Sequence, residues 1–214
     1  MNKQKLNYDT VTPTLKEVLH KIMAEPLFAP FILVGGTNLS LRYGHRLSVD
    51  IDMFTDAEYG SLDFLKFENW LRANFSYYYC TDRTSIVGFG RGYYIGKSEE
   101  NVIKLDLMYT DPYIADAEII DGIRMASVDD IIAMKMNVVS RGGRKKDFWD
   151  IHYLLNHYSI ENMIDLHRKR HEWEHNPDEL RKKLTDFVKA DKDQHPICLL
   201  GKNWDDIKLD LIDI

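Results

Sequence analysis

Apolar residues recur at helical spacing near the start of the chain, where Leu15, Val18, Leu19 and Ile22 follow Thr12-Pro13. Thr12 is placed to cap this helix and Pro13 to take its first position, where a missing N–H costs nothing. Phe31 to Val34 is a short apolar run that stops at Gly35-Gly36, the pattern of a buried strand ending in a tight turn. A helix is expected from near Thr37 to Tyr43, a strand over Val49 to Phe54 and an amphipathic helix over Leu62 to Phe75. Short strands are expected at Tyr77 to Tyr79, Ile86 to Phe89 and Tyr93 to Ile95, then a longer one at Val102 to Tyr109. Glu118 to Met125 reads as a hairpin, because Asp121-Gly122 is a turn signal between two apolar runs. From Ser127 onward the period is helical, with helices expected near 128–140, 145–156, 160–173 and 178–190. Ser127 and Asp130 have the spacing of a capping box. The fold class is therefore α+β, with a mixed α/β part over 1–126 and a helical part over 127–214.

The polar positions in two of these strands carry the candidate chemistry. In Val49-Asp50-Ile51-Asp52-Met53, side chains alternate between faces, so the three apolar residues are expected to point to the core and Asp50 and Asp52 to share the other face. Adjacent carboxylates repel one another and call for a cation or a proton between them. Magnesium, a hard ion held by one or two carboxylates and by substrate phosphates, meets that need. Ile103-Lys104-Leu105-Asp106-Leu107 repeats the alternation. If the two strands are neighbours, Asp106 completes a three-carboxylate set able to hold two metal ions. An acidic strand face with Lys104 paired to Asp106 is the plainer alternative.

Composition narrows the class. The hydrophobic fraction of 44% and the aromatic fraction of 12% suit a packed core. A net charge of -6 argues against a surface that grips nucleic acid everywhere and leaves room only for a local basic groove. Cys80 and Cys198 are far apart and lack metal-ligand spacing, as expected of structural thiols in a reducing compartment. Met1 to Tyr8 has no apolar signal core, and the longest apolar stretch, near Leu27 to Val34, is interrupted by Pro30 and too short to span a bilayer. A soluble, cytoplasmic protein with no membrane association is expected.

Gly35-Gly36-Thr37 follows a strand and opens a helix, a place where backbone N–H groups meet phosphate, although a plain tight turn fits as well. Thirteen residues separate Gly36 from Asp50. A strand, a glycine pair, a short helix and then Asp-x-Asp on the next strand resembles the signature of the polymerase β-like nucleotidyltransferase superfamily. Gly35-Gly36-Thr37-Asn38-Leu39, with His45-Arg46-Leu47-Ser48-Val49-Asp50-Ile51-Asp52-Met53-Phe54, is more narrowly similar to the AbiEii/AbiGii toxin family. Lys135 and the run Arg144-Lys145-Lys146-Asp147-Phe148-Trp149-Asp150-Ile151-His152-Tyr153-Leu154-Leu155 are similar to its downstream motifs, so that the likeness covers roughly residues 31–156.

The resemblance implies a mixed-sheet transferase domain with flanking helices, then a helical domain, with a nucleotide between them. It implies that Asp50, Asp52 and Asp106 bind Mg²⁺, one ion or two, and act in catalysis with Lys135. It also implies that Gly35, Gly36 and Thr37 cradle phosphate, with Ser48, Lys135 and Asp147 completing the nucleotide site. The activity implied is transfer of a nucleoside monophosphate from a nucleoside triphosphate to an acceptor, tRNA above all, as the toxin of a toxin–antitoxin or phage-defence pair with a cognate antitoxin. A protein or small-molecule hydroxyl is the alternative acceptor, and a non-catalytic binding partner of the same fold is the alternative function. Many superfamily members carry Ser after the first glycine, where this chain has Gly36.

Other residues divide between chemistry and structure. Lys135 interrupts the apolar stripe of Val128, Ile131, Ile132, Val138 and Val139, so its ammonium needs a partner if buried; a phosphate would serve. Arg141-Gly142-Gly143-Arg144-Lys145-Lys146 is a basic connection suited to a triphosphate, to an RNA backbone, or to nothing but solvent. Asp147 and Asp150 are spaced three apart at the start of the next helix, where acids are favoured by the helix dipole. His45 is expected to be structural and Arg46 to be either a phosphate ligand or a surface residue. The group His167, Arg168, Lys169, Arg170, His171 and His175 is expected to form a solvated face, with zinc binding a remote alternative.

Overall fold

The computed structural model describes residues 5–81 and 87–214. A helix α1 (Pro13–Ala24) leads into strand β1 (Ile32–Val34), helix α2 (Gly35–Tyr43) and strand β2 (Asp50–Thr55). Helix α3 (Phe64–Asn74) is followed by β3 (Tyr77–Cys80), β4 (Gly90–Ser98), β5 (Asn101–Tyr109), β6 (Glu118–Ile120) and β7 (Ile123–Met125). Five helices complete the described chain: α4 (Val128–Ser140), α5 (Lys145–Leu154), α6 (Ile160–Arg170), α7 (Pro177–Leu184) and α8 (Trp204–Ile212). Among the described residues no helix is long and apolar enough to cross a membrane.

The strands form one mixed sheet in the order β3-β4-β5-β2-β1-β7-β6. β2 is parallel to β5 and antiparallel to β1, and β1 is parallel to β7. One core lies against the sheet and includes Leu15, Leu19, Leu33, Ile51, Met53, Tyr93, Leu105 and Leu107. A second core gathers Ile131, Met136, Phe148, Trp149, Leu154 and Trp204 from the helices, and Val34 and Leu39 join it from the N-terminal half. β1 and α2 therefore touch both cores, and the turn between them sits at their junction.

Local signals act as their chemistry requires. Thr12 accepts the Leu15 N–H at 3.1 Å and caps α1, while Ser127 accepts the Asp130 N–H at 3.0 Å and caps α4. Asp121 and Gly122 both adopt positive φ between β6 and β7, as a tight hairpin turn demands.

Several expectations need correction. Val49 is not a core residue: β2 begins at Asp50, and Val49 is 60% exposed. The strand expected at Tyr93 to Ile95 is part of a longer β4 that begins at Gly90; of the strand expected at Ile86 to Phe89, Ile86 lies outside the described residues, and 87–89 are not in a strand. The helix expected over 178–190 stops at Leu184, because Asp186 turns back to accept the Val188 N–H and competes with helix propagation. α8 was not expected from the hydrophobic pattern; its signal is Asn203, which caps it and accepts N–H groups of Asp205 and Asp206. The histidine and arginine cluster is a solvated face only in part, since Arg168 and Lys169 are exposed. His167 and Arg170 are buried. Arg170 binds Asp130, Thr110 and the carbonyls of Asp111 and Pro112, fastening α6 to the end of β5.

Candidate active site

The parallel pairing of β2 and β5 decides where the carboxylates fall. Asp50 lies opposite Lys104 and Asp52 opposite Asp106, on the face of the sheet turned away from Ile51, Met53, Leu105 and Leu107. Two lysines reach this acidic face. Lys104 forms an ion pair with Asp106, and Lys146, from α5, donates to Asp50 at 3.2 Å. Asp52 receives no hydrogen bond or ion pair among the described residues. Burial, then Asp106, then Asp50 push its pKa above the ordinary carboxylate value.

Glycines make room for these acids. Gly35 has φ +69°, and a side chain there would come within 2.6 Å of Asp52 Oδ2. Gly92, on β4, faces Asp106, with only 2.8 Å between an added Cβ and Asp106 Oδ1. Gly36 lies against the Arg46 guanidinium, which occupies the space that a side chain would need. The Thr37 hydroxyl is turned inward: it donates to the Asp50 carbonyl and lies 2.8 Å from Ser48 Oγ. These residues tie the first turn of α2 to the start of β2 and so hold Asp50 in place.

A buried ionic network joins the segment before β2 to α4 and α5. Asp150 accepts from Arg46 Nε and Arg46 Nη2, each at 2.7 Å, and is 2.7 Å from His45 Nε2. Lys135 Nζ reaches Asp150 at 2.7 Å and Asp147 at 2.6 Å. Burial opposes ionisation of Asp150, yet Arg46 and Lys135 outweigh it and hold its pKa well below the usual carboxylate value. Burial likewise opposes the charge of Lys135, and Asp147 and Asp150 outweigh it, so its pKa is raised. Lys135 is thus satisfied by protein carboxylates while remaining close enough to lower the pKa of Asp52. The signal for this network was present in sequence as a lysine on an apolar stripe followed by two acids three residues apart; their convergence required α4 and α5 to pack.

The basic connection is split in two. Lys145 is buried, donates to the Asp193 carbonyl at 2.9 Å and stacks its charge over Trp204, so it is a structural residue and not part of a basic surface. Arg141 and Arg144 remain exposed, and Lys146 faces Asp50.

Among the described residues no three His, Cys, Asp or Glu side chains stand close enough together to form a finished metal site. The donor set nevertheless fits a hard divalent cation: three carboxylates share one face, and one of them, Asp52, forms no ion pair and has its pKa raised by burial and then by its acidic neighbours.

The family model described as "Nucleotidyl transferase AbiEii toxin, Type IV TA system" matches residues 17–213. The chain belongs to this family. It is 29% identical over 149 residues to the protein aq_aa25 of Aquifex aeolicus, a match spanning 65% of this chain and 65% of that relative. A crystal structure of a Helicobacter pylori protein assigned as a nucleotidyltransferase superposes with a TM-score of 0.56 at 23% identity, covering 92% of this chain and 91% of the other. JHP933 from Helicobacter pylori gives 0.57 at 22% identity, covering 91% of this chain and 86% of that one. At such identities the likeness establishes the fold: a mixed sheet with flanking helices of the nucleotidyltransferase kind.

Proposed function

We propose that this AbiEii-family chain transfers a nucleoside monophosphate from a nucleoside triphosphate to a hydroxyl of RNA, with tRNA as the first candidate, as the toxin of a pair with a cognate antitoxin. In the reaction an acceptor oxygen forms a bond to the α-phosphorus, the bond from the α-phosphorus to the bridging oxygen breaks, pyrophosphate leaves and the acceptor loses a proton. One observation carries the reading: Asp52 and Asp106 are paired across parallel strands, with Asp50 on the same face.

Asp50, Asp52 and Asp106 would hold Mg²⁺, which when bound supplies positive charge to the phosphates and acidifies the attacking hydroxyl. The chain's own residues set the stage for that chemistry. Gly35 and Gly92 leave space for the carboxylates, Thr37 fixes the start of β2, and the Asp150 network fixes Lys135 and Arg46 behind them. The exposed cation Arg144, together with Lys146, supports a polyanionic substrate beside the carboxylates despite the net negative charge. A cytoplasmic setting, where triphosphates and tRNA are found, belongs to the same proposal.

The test is incubation of the protein with each α-labelled triphosphate, Mg²⁺ and total RNA or total protein. Label on RNA, lost in Asp52→Asn, is the expected result. Label on protein alone overturns the acceptor, and no label with any triphosphate overturns the activity.

A further inference from the structure

Two kinds of ion pair stand near the strand carboxylates. The pairs of Asp150 with Arg46 and Lys135 are closed to solvent, with no side chain more than 7% exposed. Charges enclosed in this way cannot part without leaving one of them buried and alone. The pair of Lys104 with Asp106 is of the other kind: the Lys104 side chain is 36% exposed and that of Asp106 15% exposed. An ammonium with one side in water gains little net stability from its partner and can leave it.

The sheet sets what Lys104 can reach. Alternation along β5 puts Lys104 and Asp106 one pleat apart on the same face. Strand pairing sets Lys104 opposite Asp50 on β2 and opposite Tyr94 on β4, while Asp106 has Asp52 on one side and Gly92 on the other. Lysine carries its charge on a flexible four-carbon stem, so the ammonium can move between carboxylates without any change in the backbone. It donates to Asp106 Oδ2. The other oxygen, Oδ1, faces Gly92, where an added Cβ would stand only 2.8 Å away. Asp106 thus presents one oxygen to a cleared space and has the other taken by an internal cation.

We propose that Lys104 is a positioning residue acting through Asp106: its ammonium holds the carboxylate oxygen that a divalent cation needs, and the cation enters by displacing it, a role that rests on the nucleotidyltransferase reading and deepens it. Without the cation, Lys104 neutralises Asp106 and limits repulsion within the acidic face. With it, the ammonium is released toward Asp50 and solvent. Breaking the pair weakens cation binding, and the coupling is reciprocal: the cation disfavours the pair by the same factor. An anion that arrives with the cation and accepts the freed ammonium offsets that loss, so Lys104 makes metal entry depend on an anionic substrate.

The experiment measures binding of Mg²⁺ alone by calorimetry, and acetylation of Lys104 by acetic anhydride, read by mass spectrometry, with and without Mg²⁺. The variants are Lys104→Met, Lys104→Arg and Asp106→Asn. Thermal unfolding confirms that each is folded, and Lys104→Gln replaces Lys104→Met if that variant is not. Lys104→Met is expected to bind Mg²⁺ about fivefold more tightly than the wild type, and Lys104→Arg to restore the weaker binding. Acetylation of Lys104 is expected to rise with Mg²⁺ in the wild type; in Asp106→Asn it should be high from the outset and indifferent to Mg²⁺. Mg²⁺ binding that is unchanged or weaker in the folded neutral variant overturns the proposal. So does tighter binding with Lys104 reactivity indifferent to Mg²⁺ in the wild type, the mark of a charge acting at a distance. Either result with wild-type nucleotide transfer intact leaves the nucleotidyltransferase reading standing. A wild type that neither binds Mg²⁺ nor transfers a nucleotide overturns both.

Discussion

Arg46 and Asp150, 104 residues apart, meet through two parallel hydrogen bonds of 2.7 Å in a site closed to solvent. The pair joins the segment before β2 to helix α5, and through Lys135 it also joins α4. Asp150→Ala would leave an arginine and a lysine short of a partner in the interior. The expected loss is about 3–5 kcal/mol, the usual result of removing one member of a buried ionic pair. Urea unfolding measures it, and a loss under about 1 kcal/mol would show that water or a shifted side chain replaces Asp150.

The same carboxylate sets an acid dependence. The folded-state pKa of Asp150 lies well below 3.8, so its contribution to stability is present at all pH values above the unfolded value. It is lost only as pH falls through the depressed folded value. The stability difference between the wild type and Asp150→Asn is therefore expected to be flat from neutrality to about pH 4 and to shrink below it. A difference that shrinks near pH 6 would contradict this assignment.

Asp52 behaves in the opposite sense. Its pKa is raised in the folded state by burial and by Asp106 and Asp50, so the ionised form destabilises the fold above that pKa and protonation relieves it. Asp52→Asn is expected to raise the melting temperature of the metal-free protein at neutral pH, with the gain disappearing in acid. Mg²⁺ is expected to stabilise the wild type, by about 2.7 kcal/mol at a hundred times its dissociation constant. It should do much less for the variant, and transfer activity should vanish. Equal stabilisation of both proteins by Mg²⁺ would remove Asp52 from the metal site.

Gly35→Ala tests the space beside Asp52. The backbone there has positive φ, which costs a residue with Cβ about 1–2 kcal/mol, and the added carbon would press on the Asp52 carboxylate. Reduced stability together with weakened Mg²⁺ response is expected. A variant that loses stability and keeps its Mg²⁺ response would limit Gly35 to the turn.

Two neighbouring charge reversals should separate structure from substrate binding. Lys145→Glu places an acid beside Asp193 in a buried position and is expected to unfold the packing around Trp204. Lys146→Glu puts an acid beside Asp50 at a part-exposed position and should leave the melting temperature within a few degrees while weakening triphosphate binding. Circular dichroism melts and calorimetric titrations distinguish the two, and equal effects on stability would refute the division.

What the sequence by itself determined is local. Alternation over 50–54 and 103–107 set which face each aspartate takes, because side chains on a strand point by turns to opposite sides. Thr12, Ser127 and Asp121-Gly122 announced two helix starts and a turn, because caps and tight turns are satisfied within a few residues. The family's spacing from Gly35 to Asp52 was legible for the same reason. Tertiary structure decided the rest. Only strand pairing set Asp52 against Asp106 in register. Only the packing of α4 on α5 turned Lys135 and Asp150 into partners, and adjacent Lys145 and Lys146 received opposite surroundings from the segment 193–197 and from β2. A buried charge is specified by what comes to neutralise it, and those partners lie far away along the chain.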